Sequence, residues 1–176
     1  MNSGAVLREA LADAHATLER TVAGVDQAGL DWVPPGTANP IGATFAHLVV
    51  SEDMVANAIL AAREPLLRTA FVGRTGLSEP MPMPGPDWAD YGAWARRVRV
   101  DPTVLNVYAQ ATWRSSEDFV AGLAPLDLDR EVDLTFLGRG HVSVGLAVMR
   151  MLCMHVDQIT GEIACLKGLQ GRGGYG

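Results

Sequence analysis

The sequence predicts an all-α domain, a four-helix bundle with a long crossover loop and a small β-hairpin before the last helix. Long segments carry apolar residues at three- and four-residue steps, which is the pattern of one buried helix face. The connection between the second and third of these segments is rich in proline. A short alternating segment precedes the last one. Because no repeat or linker divides the chain, we expect residues 1–176 to form a single domain.

The composition is that of a globular protein and excludes some classes of partner. Hydrophobic residues make up 48% of the 176 residues and charged residues 19%. The net charge of −6 argues against nucleic-acid binding through attraction to phosphate, although it leaves a small anionic ligand possible. We see neither a long apolar run nor a secretory signal, so we expect no membrane partner and a cytoplasmic location.

The first helix is predicted over residues 4–24 and is followed by a loop over 26–40. Its apolar face consists of Leu7, Leu11, Ala14, Leu18 and Val22. His15 lies beside this face on a helical wheel, and we interpret it as a solvated or edge histidine. Asn39 is suited to cap the next helix, and Pro40 is suited to its first position.

The second helix is predicted over residues 41–63 and carries two ionisable side chains near its buried face. The buried stripe consists of Ile41, Phe45, Leu48, Val55 and Ile59. Glu52 falls within this stripe, where a carboxylate needs a partner because burying it alone costs several kcal/mol. His47 lies at the edge of the stripe. Two ionisable groups near one core face suggest a functional site.

The crossover connection is predicted to be an irregular loop followed by a short helix. Prolines exclude regular structure from 78–86, while Met81 and Met83 give the loop apolar side chains to bury over the bundle. A short helix is predicted over 87–99, starting at Asp87. Its aromatic residues, Trp88, Tyr91 and Trp94, are interpreted as packing residues.

The third long helix is predicted to begin at Asp101-Pro102 and to reach about Leu123. Its inner face, formed by Leu105, Tyr108, Thr112, Ser115 and Phe119, is partly polar, which fits a helix that lines a cavity. Next, Val132, Leu134 and Phe136 alternate with polar residues. This pattern predicts a strand that turns at 138–140 into a partner at 141–143.

The last helix is predicted to begin after Ser143 and to end before a glycine-rich tail from Gly168. A helical wheel places Arg150, Asp157, Gly161 and Gly168 on one narrow outer side. The opposite side contains His155, Gln158 and Glu162 among apolar residues. We therefore expect a polar cluster in the interior. Cys153 and Cys165 are twelve residues apart on this helix, too far for a disulfide, and are interpreted as buried thiols.

Two stretches, LDWVPPGTANPIGATFAHLVVSE and HVDQITGEIACLKGLQGRGGY, resemble the DinB-like superfamily. The resemblance covers nearly the whole chain, and its most specific pieces include the segments around His47 and His155. It implies a four-helix bundle. Many members hold a divalent metal with three histidines, and some act as thiol S-transferases or isomerases that use bacillithiol or mycothiol. Others have no known activity.

The resemblance also implies a metal-ligand set, which this sequence only partly supplies. Two family histidines correspond to His47 and His155, but the third, four residues after His155, is replaced by Ile159. Residues i and i+4 share one side of a helix and can reach one metal, whereas isoleucine offers no lone pair. Asp157 points away. His141 could approach from the hairpin, and a two-histidine, one-carboxylate site formed by His47, His155 and Glu52 is a candidate for zinc or nickel.

Two functions follow from this partial set. One is a non-catalytic or small-ligand-binding bundle in which the histidines remain from a degenerate metal site. The alternative is a metal-dependent, mycothiol-type S-transferase or isomerase, in which the metal lowers the pKa of a low-molecular-weight thiol. We also expect a homodimer, because helical bundles with broad apolar surfaces often pair.

Overall fold

The computed structural model describes residues 3–84 and 89–175. The α-helices are α1 (Ser3–Val22), α2 (Gln27–Asp31), α3 (Ile41–Asp53), α4 (Tyr91–Arg97), α5 (Pro102–Ala121), α6 (Val144–Ala147) and α7 (Met154–Leu169). Helix α3 continues as a π-helical segment, Met54–Leu60, and a second π-helical segment, Val148–Cys153, joins α6 to α7. Short 3₁₀ turns lie at Leu66–Arg68, Pro125–Asp129 and Thr135–Leu137.

The long helices pack as a four-helix bundle, which confirms the predicted fold class. Helix α1 packs on α5 and α7, and α3 packs on the same two helices, so that α1 and α3 face each other across the diagonal. The core between them is mainly apolar, and its fully buried side chains include Leu11, Leu18, Leu48, Leu105 and Ile163. Burying a side chain of this size stabilises the fold by about 1.5–3 kcal/mol.

The starts of the long helices follow the sequence closely. The carboxylate of Asp101 accepts hydrogen bonds from the backbone of Thr103 and Val104, and the Ser143 hydroxyl accepts one from Leu146. The predicted cap at Asn39 is wrong. Pro40 is itself the capping residue, with extended backbone angles, and its carbonyl accepts the hydrogen bond from Thr44.

The predicted hairpin forms, but it is shorter than its alternating pattern suggests. Strand β1 (Glu131–Asp133) pairs antiparallel with β2 (His141–Ser143), and Val132 lies opposite Val142. The predicted continuation of the strand through Phe136 is wrong. Asp133 accepts hydrogen bonds from the backbone and hydroxyl of Thr135, which bends the chain into a 3₁₀ turn. Phe136 is consequently 57% exposed.

The crossover connection is fixed to the bundle at both ends. Asp53 at the end of α3 accepts hydrogen bonds from the backbone of Leu66 and Leu67. Gly76 lies so close to α5 that an added Cβ would come within 2.5 Å of the Leu105 nitrogen. The buried Met81 confirms that the loop covers the bundle. Asp87 and Trp88, the predicted start of the short helix, lie outside the described residues.

The third and last long helices, α5 and α7, differ in detail from the predictions made from the sequence. On α5 the buried side chains include the predicted Thr112 and the unpredicted Ser116, whereas the predicted Ser115 and Phe119 are only half-buried. The last helix extends through Leu169, one residue past the predicted start of the tail. No helix in the described ranges is long and apolar enough to cross a membrane.

Candidate functional site

A cavity of about 600 Å³ opens between the second and last helices, under the crossover loop and the hairpin turn. Its described lining is His47, Ser51, Met54, Val55, Ile59, Met81, Met83, Pro84, Phe136, Leu137, Arg139, Arg150, Met151, His155 and Gln158. Most of these side chains are apolar, and a few polar groups converge among them. This combination is typical of small-molecule sites, which usually measure about 300–1,000 Å³.

Both π-helical segments of the protein's described part contribute to this cavity. Met54, Val55 and Ile59 come from the segment that follows α3, and Arg150 and Met151 come from the segment that precedes α7. A π turn admits one more residue than an α turn and occurs frequently at functional sites. The two walls of the cavity therefore depart from regular helix at the same level of the bundle.

His47 and His155, the two histidines that the family resemblance implied, meet within this cavity. Their ring centroids are 5.4 Å apart and the rings are nearly perpendicular, with an interplanar angle of 86°. The Ser51 hydroxyl lies 3.4 Å from Nδ1 of His47. On its other side, His47 contacts the ring of Tyr91 edge-on at 5.3 Å. The short helix α4 thus holds one histidine in place, a role that the sequence did not reveal.

The surroundings keep both imidazoles neutral at physiological pH. Burial lowers the pKa of His47 to about 4, and the nearby charge of a protonated His155 acts in the same direction. Burial also lowers the pKa of His155; the negative charge of Glu52 opposes this shift, and Arg139 reinforces it. A neutral imidazole offers one nitrogen donor and one acceptor, so each ring can hydrogen-bond a ligand or bind a metal.

A polar strip continues from His47 along the α3–α7 interface. Burial raises the pKa of Tyr91 and the charge of Glu162 adds to the shift, which keeps the phenol protonated. The Thr44 hydroxyl donates a long, 3.5 Å hydrogen bond to Glu162. The expectation of an interior polar cluster is wrong for Gln158 and Glu162, which are exposed, and Glu162 also lies beyond the cavity lining.

Glu52 is turned away from the cavity and toward the centre of the bundle. Its carboxylate lies 3.0 Å from Nε2 of His15 and accepts a hydrogen bond from the Ser116 hydroxyl. Nδ1 of His15 lies 2.6 Å from Glu117. The interpretation of His15 as a solvated or edge histidine is wrong, because it is only 3% exposed. Its partners come from α3 and α5, and no single-helix wheel could show them.

The donors near the two histidines do not fit a metal held by three protein ligands. Ile159 is 8% exposed and aliphatic, and Glu52 is already bound to His15 and Ser116. Within the described ranges, no group of three or more histidine, cysteine, aspartate or glutamate side chains is arranged to share a metal ion. The set of His47, His155 and Glu52 stays a prediction.

Two arginines that the sequence did not assign to the site lie at the cavity. Arg139 projects from the hairpin turn, and Arg150 belongs to the π-helical segment before α7. The wheel had placed Arg150 on the outer side, away from His155. Five residues make about 1.4 turns in an α-helix. In a π-helix, with its i→i+5 hydrogen bonds, they make little more than one turn, which explains why both residues line the cavity.

The two cysteines are not equivalent. Cys153 is buried, and burial raises its pKa to about 11, so that it is an inert thiol at neutral pH. The prediction that Cys165 is also buried is wrong, since its side chain is exposed. Twelve residues of α-helix rotate the second cysteine by about a third of a turn relative to the first, which moves it out of the core face.

Comparisons with known proteins agree with this architecture. A crystal structure of a conserved protein from Enterococcus faecalis matches 96% of this chain and 99% of its own, with a TM-score of 0.73 and 20% sequence identity. At that identity the similarity concerns the fold alone. No curated protein matches the chain. The family model of the DinB superfamily matches residues 10–160. Because this match covers most of the sequence, including both cavity histidines, the chain belongs to the DinB superfamily.

Proposed function

We propose that this protein is a small-ligand-binding bundle that holds an organic molecule in the cavity containing His47 and His155. One observation carries the proposal. Two neutral imidazoles converge in a cavity of about 600 Å³ whose remaining lining is mainly apolar. An apolar cavity provides affinity by removing ligand surface from water, and a few fixed polar groups orient the ligand.

The position of the cavity supports binding rather than simple packing. The half-buried histidines lie against the open space and not within the core. The crossover loop covers the cavity with Met81 and Met83, and thioether side chains adapt readily to ligands of different shape. The polar groups of the buried cluster around His15 are satisfied by one another, so they stabilise the bundle and leave ligand contacts to the cavity.

A second candidate is a metal-dependent, mycothiol-type S-transferase or isomerase. The observation that favours it is the pair of neutral imidazoles, since an unprotonated nitrogen is required of a zinc or nickel ligand. Ile159 and the pairing of Glu52 with His15 weigh against it. For this reason we place ligand binding first.

Binding in the cavity can be tested with a neutral apolar probe. Uniformly ¹⁵N-labelled protein is titrated with octan-1-ol, and amide shifts are followed by NMR. We expect shifts clustered at His47, Ser51, Met151 and His155, and we expect Met151→Trp to abolish them by filling the cavity. Met149→Trp is the matched control, because Met149 lies two residues away outside the cavity lining. Shifts that persist in Met151→Trp would contradict the proposal.

Self-association remains part of the proposal. Val6 on α1, Met149 before α7 and Met154 on α7 are 46%, 39% and 45% exposed, and α1 packs against this part of the last helix. Exposed apolar side chains from neighbouring helices can bury one another in a two-fold dimer. This surface lies apart from the residues that line the cavity.

A further inference from the structure

We propose that the ligand of this cavity is an amphipathic organic anion, with an apolar body and one carboxylate or phosphate headgroup, and that Arg139 and Arg150 bind the headgroup. The inference rests on the proposed ligand-binding function and adds the chemical class of the ligand. It follows from the charge of the lining, the placement of the two arginines and the character of the remaining walls.

The cavity lining is positively charged, whereas the protein as a whole is negatively charged. The whole chain has a net charge of −6, yet the described lining residues include two arginines and no aspartate or glutamate. Two arginines elsewhere form ion pairs, Arg97 with Glu79 at 2.8 Å and Arg172 with Asp26 at 2.7 Å. Neither the Arg139 guanidinium nor the Arg150 guanidinium has a hydrogen-bond or ion-pair partner among the described residues. Unpaired guanidinium groups beside a cavity are suited to a ligand oxyanion, which they can bind through two parallel hydrogen bonds.

The backbone that carries Arg139 is fixed. Its amide donates to the Leu134 carbonyl at 3.1 Å, and the Leu134 amide donates to the Gly140 carbonyl at 2.8 Å. Gly138 and Gly140, on either side of Arg139, have φ angles of 69° and 65°, in the region that favours glycine. The turn therefore presents the arginine side chain from a defined position, which reduces the ordering cost of binding.

The other walls suit the apolar body of the ligand. Met54, Met81, Met83 and Met151 line the cavity together with Ile59 and Phe136. The exposed Phe136 lies in the same turn region as Arg139, so a single hairpin supplies both an aromatic contact and a charge. The positive charge of Arg139 also acts on His155, so the field of the rim extends to the histidines. The headgroup and body contacts are thus close enough for one small molecule.

The test uses four probes that share an eight-carbon chain and differ only in headgroup: octanoate, octyl phosphate, octan-1-ol and octylamine. Each is titrated into ¹⁵N-labelled protein at pH 7, and the dissociation constant is taken from the shifts of cavity amides. We expect at least one anion to bind about tenfold or more tightly than octan-1-ol, as charge-assisted hydrogen bonds allow. We expect octylamine to bind most weakly, and comparison of the two anions identifies the preferred headgroup.

The variant Arg139→Gln/Arg150→Gln should remove the preference for anions, so that its affinities for octanoate and octyl phosphate no longer exceed its affinity for octan-1-ol. Arg114→Gln is the matched control, because Arg114 is exposed on α5 and absent from the cavity lining. Equal affinities for octan-1-ol and both anions would overturn the inference, as would an anion preference that survives in the double variant. In either case, binding that Met151→Trp blocks would leave the ligand-binding function standing. If none of the four probes shifts cavity amides, that function and the inference both fail.

Discussion

His15 and Glu52 meet across the diagonal of the bundle, with Nε2 of the histidine 3.0 Å from the carboxylate. Their side chains are 4% and 1% exposed, so the pair is fully removed from water. Removing one partner of a buried pair leaves the other charge or lone pair unsatisfied, at a cost of about 3–5 kcal/mol. We expect His15→Ala to lower the free energy of unfolding by this order, measured by urea denaturation.

A second variant separates this pair from simple loss of volume. His15→Phe keeps a ring that can stack on Trp113, whose centroid lies 5.2 Å from that of His15, but it removes both hydrogen bonds. We expect His15→Phe to remain strongly destabilised in combination with the native Glu52, and to recover stability in part with Glu52→Leu. A stable His15→Phe single variant would show that the contacts to Glu52 and Glu117 contribute little.

The cavity histidines and His15 should respond to pH in opposite directions. Burial lowers the pKa of His47 to about 4, well below its unfolded value of about 6.5. As pH falls from about 6.5 toward 4, His47 becomes protonated in the unfolded chain but stays neutral in the folded protein. His47 therefore lowers the free energy of unfolding at acid pH. For His15, burial alone would lower the pKa, but the bonds and charges of Glu52 and Glu117 raise it overall. The stabilisation that His15 gives the folded protein is fully present below about pH 6.5, and it is lost as pH rises through the raised pKa of His15.

The directions of these two pKa shifts can be measured by two-dimensional NMR of the imidazole resonances. We expect His47 to titrate near pH 4 and His15 to titrate above 6.5. His47→Gln should reduce the loss of stability between pH 6.5 and 4 relative to the native chain. Titration of His47 near 6.5 would mean that its ring is solvated, contrary to the burial that the structure shows.

Metal binding provides a direct comparison between the native chain and one substitution. Ile159 follows His155 by one helical turn, so Ile159→His places a third imidazole on the same side of α7. We expect zinc or nickel to bind this variant tightly and not to bind when His47→Ala is added to it. Elemental analysis and calorimetry after reconstitution would measure both. Stoichiometric metal in the purified native protein, lost in His47→Ala, would instead favour the metal-dependent transferase.

The crossover loop should depend on Asp53. This buried carboxylate accepts hydrogen bonds from the Tyr108 hydroxyl at 2.7 Å and from the backbone of Leu66 and Leu67. We expect Tyr108→Phe to lower the free energy of unfolding by about 0.5–1.5 kcal/mol, the usual net contribution of one hydrogen bond, because Asp53 keeps the donors of Asn57, Leu66 and Leu67. Binding of octan-1-ol should be unchanged, because Tyr108 does not line the cavity. If Tyr108→Phe left the free energy of unfolding unchanged, the donors from Asn57 and from the backbone of Leu66 and Leu67 would be enough to satisfy Asp53.

Self-association can be measured by analytical ultracentrifugation. If the surface around Val6, Met149 and Met154 forms a dimer, Met154→Glu should shift the protein toward monomer by placing a charge in an apolar interface. Val107→Glu is the control, since Val107 is an equally apolar residue, 59% exposed, on α5. A monomer in the native protein at micromolar concentration would contradict the expected dimer.

The sequence predicted the bundle because its signals are local. The three- and four-residue steps of Leu11 and Leu18, and the caps at Asp101 and Ser143, depend only on neighbours along the chain. Misassigned residues depended on other helices or on irregular geometry. His15 looked peripheral because Glu52 and Glu117 lie far from it in sequence. Arg150 was misplaced because a wheel assumes uniform α geometry, which the π-helical segment breaks.

The same limit applies to the candidate site. His47 and His155 could be paired through the resemblance to a family, and the structure brings them together. Tyr91, Arg139 and the covering methionines could not be added, since a proline-rich loop and a glycine-flanked turn have no periodicity that fixes where their side chains point. Each of these contacts is set by tertiary packing.

The two π-helical segments give the cavity an unusual kind of adjustability. Each amounts to one residue more than a regular helix would need, at the level where Arg150 and Met54 line the cavity. Deleting a single residue from either segment would restore α geometry and rotate the lining side chains on that wall, while the four helices could keep their neighbours. Specificity in such a bundle can therefore change through helix length, without replacing any ligand-contacting side chain.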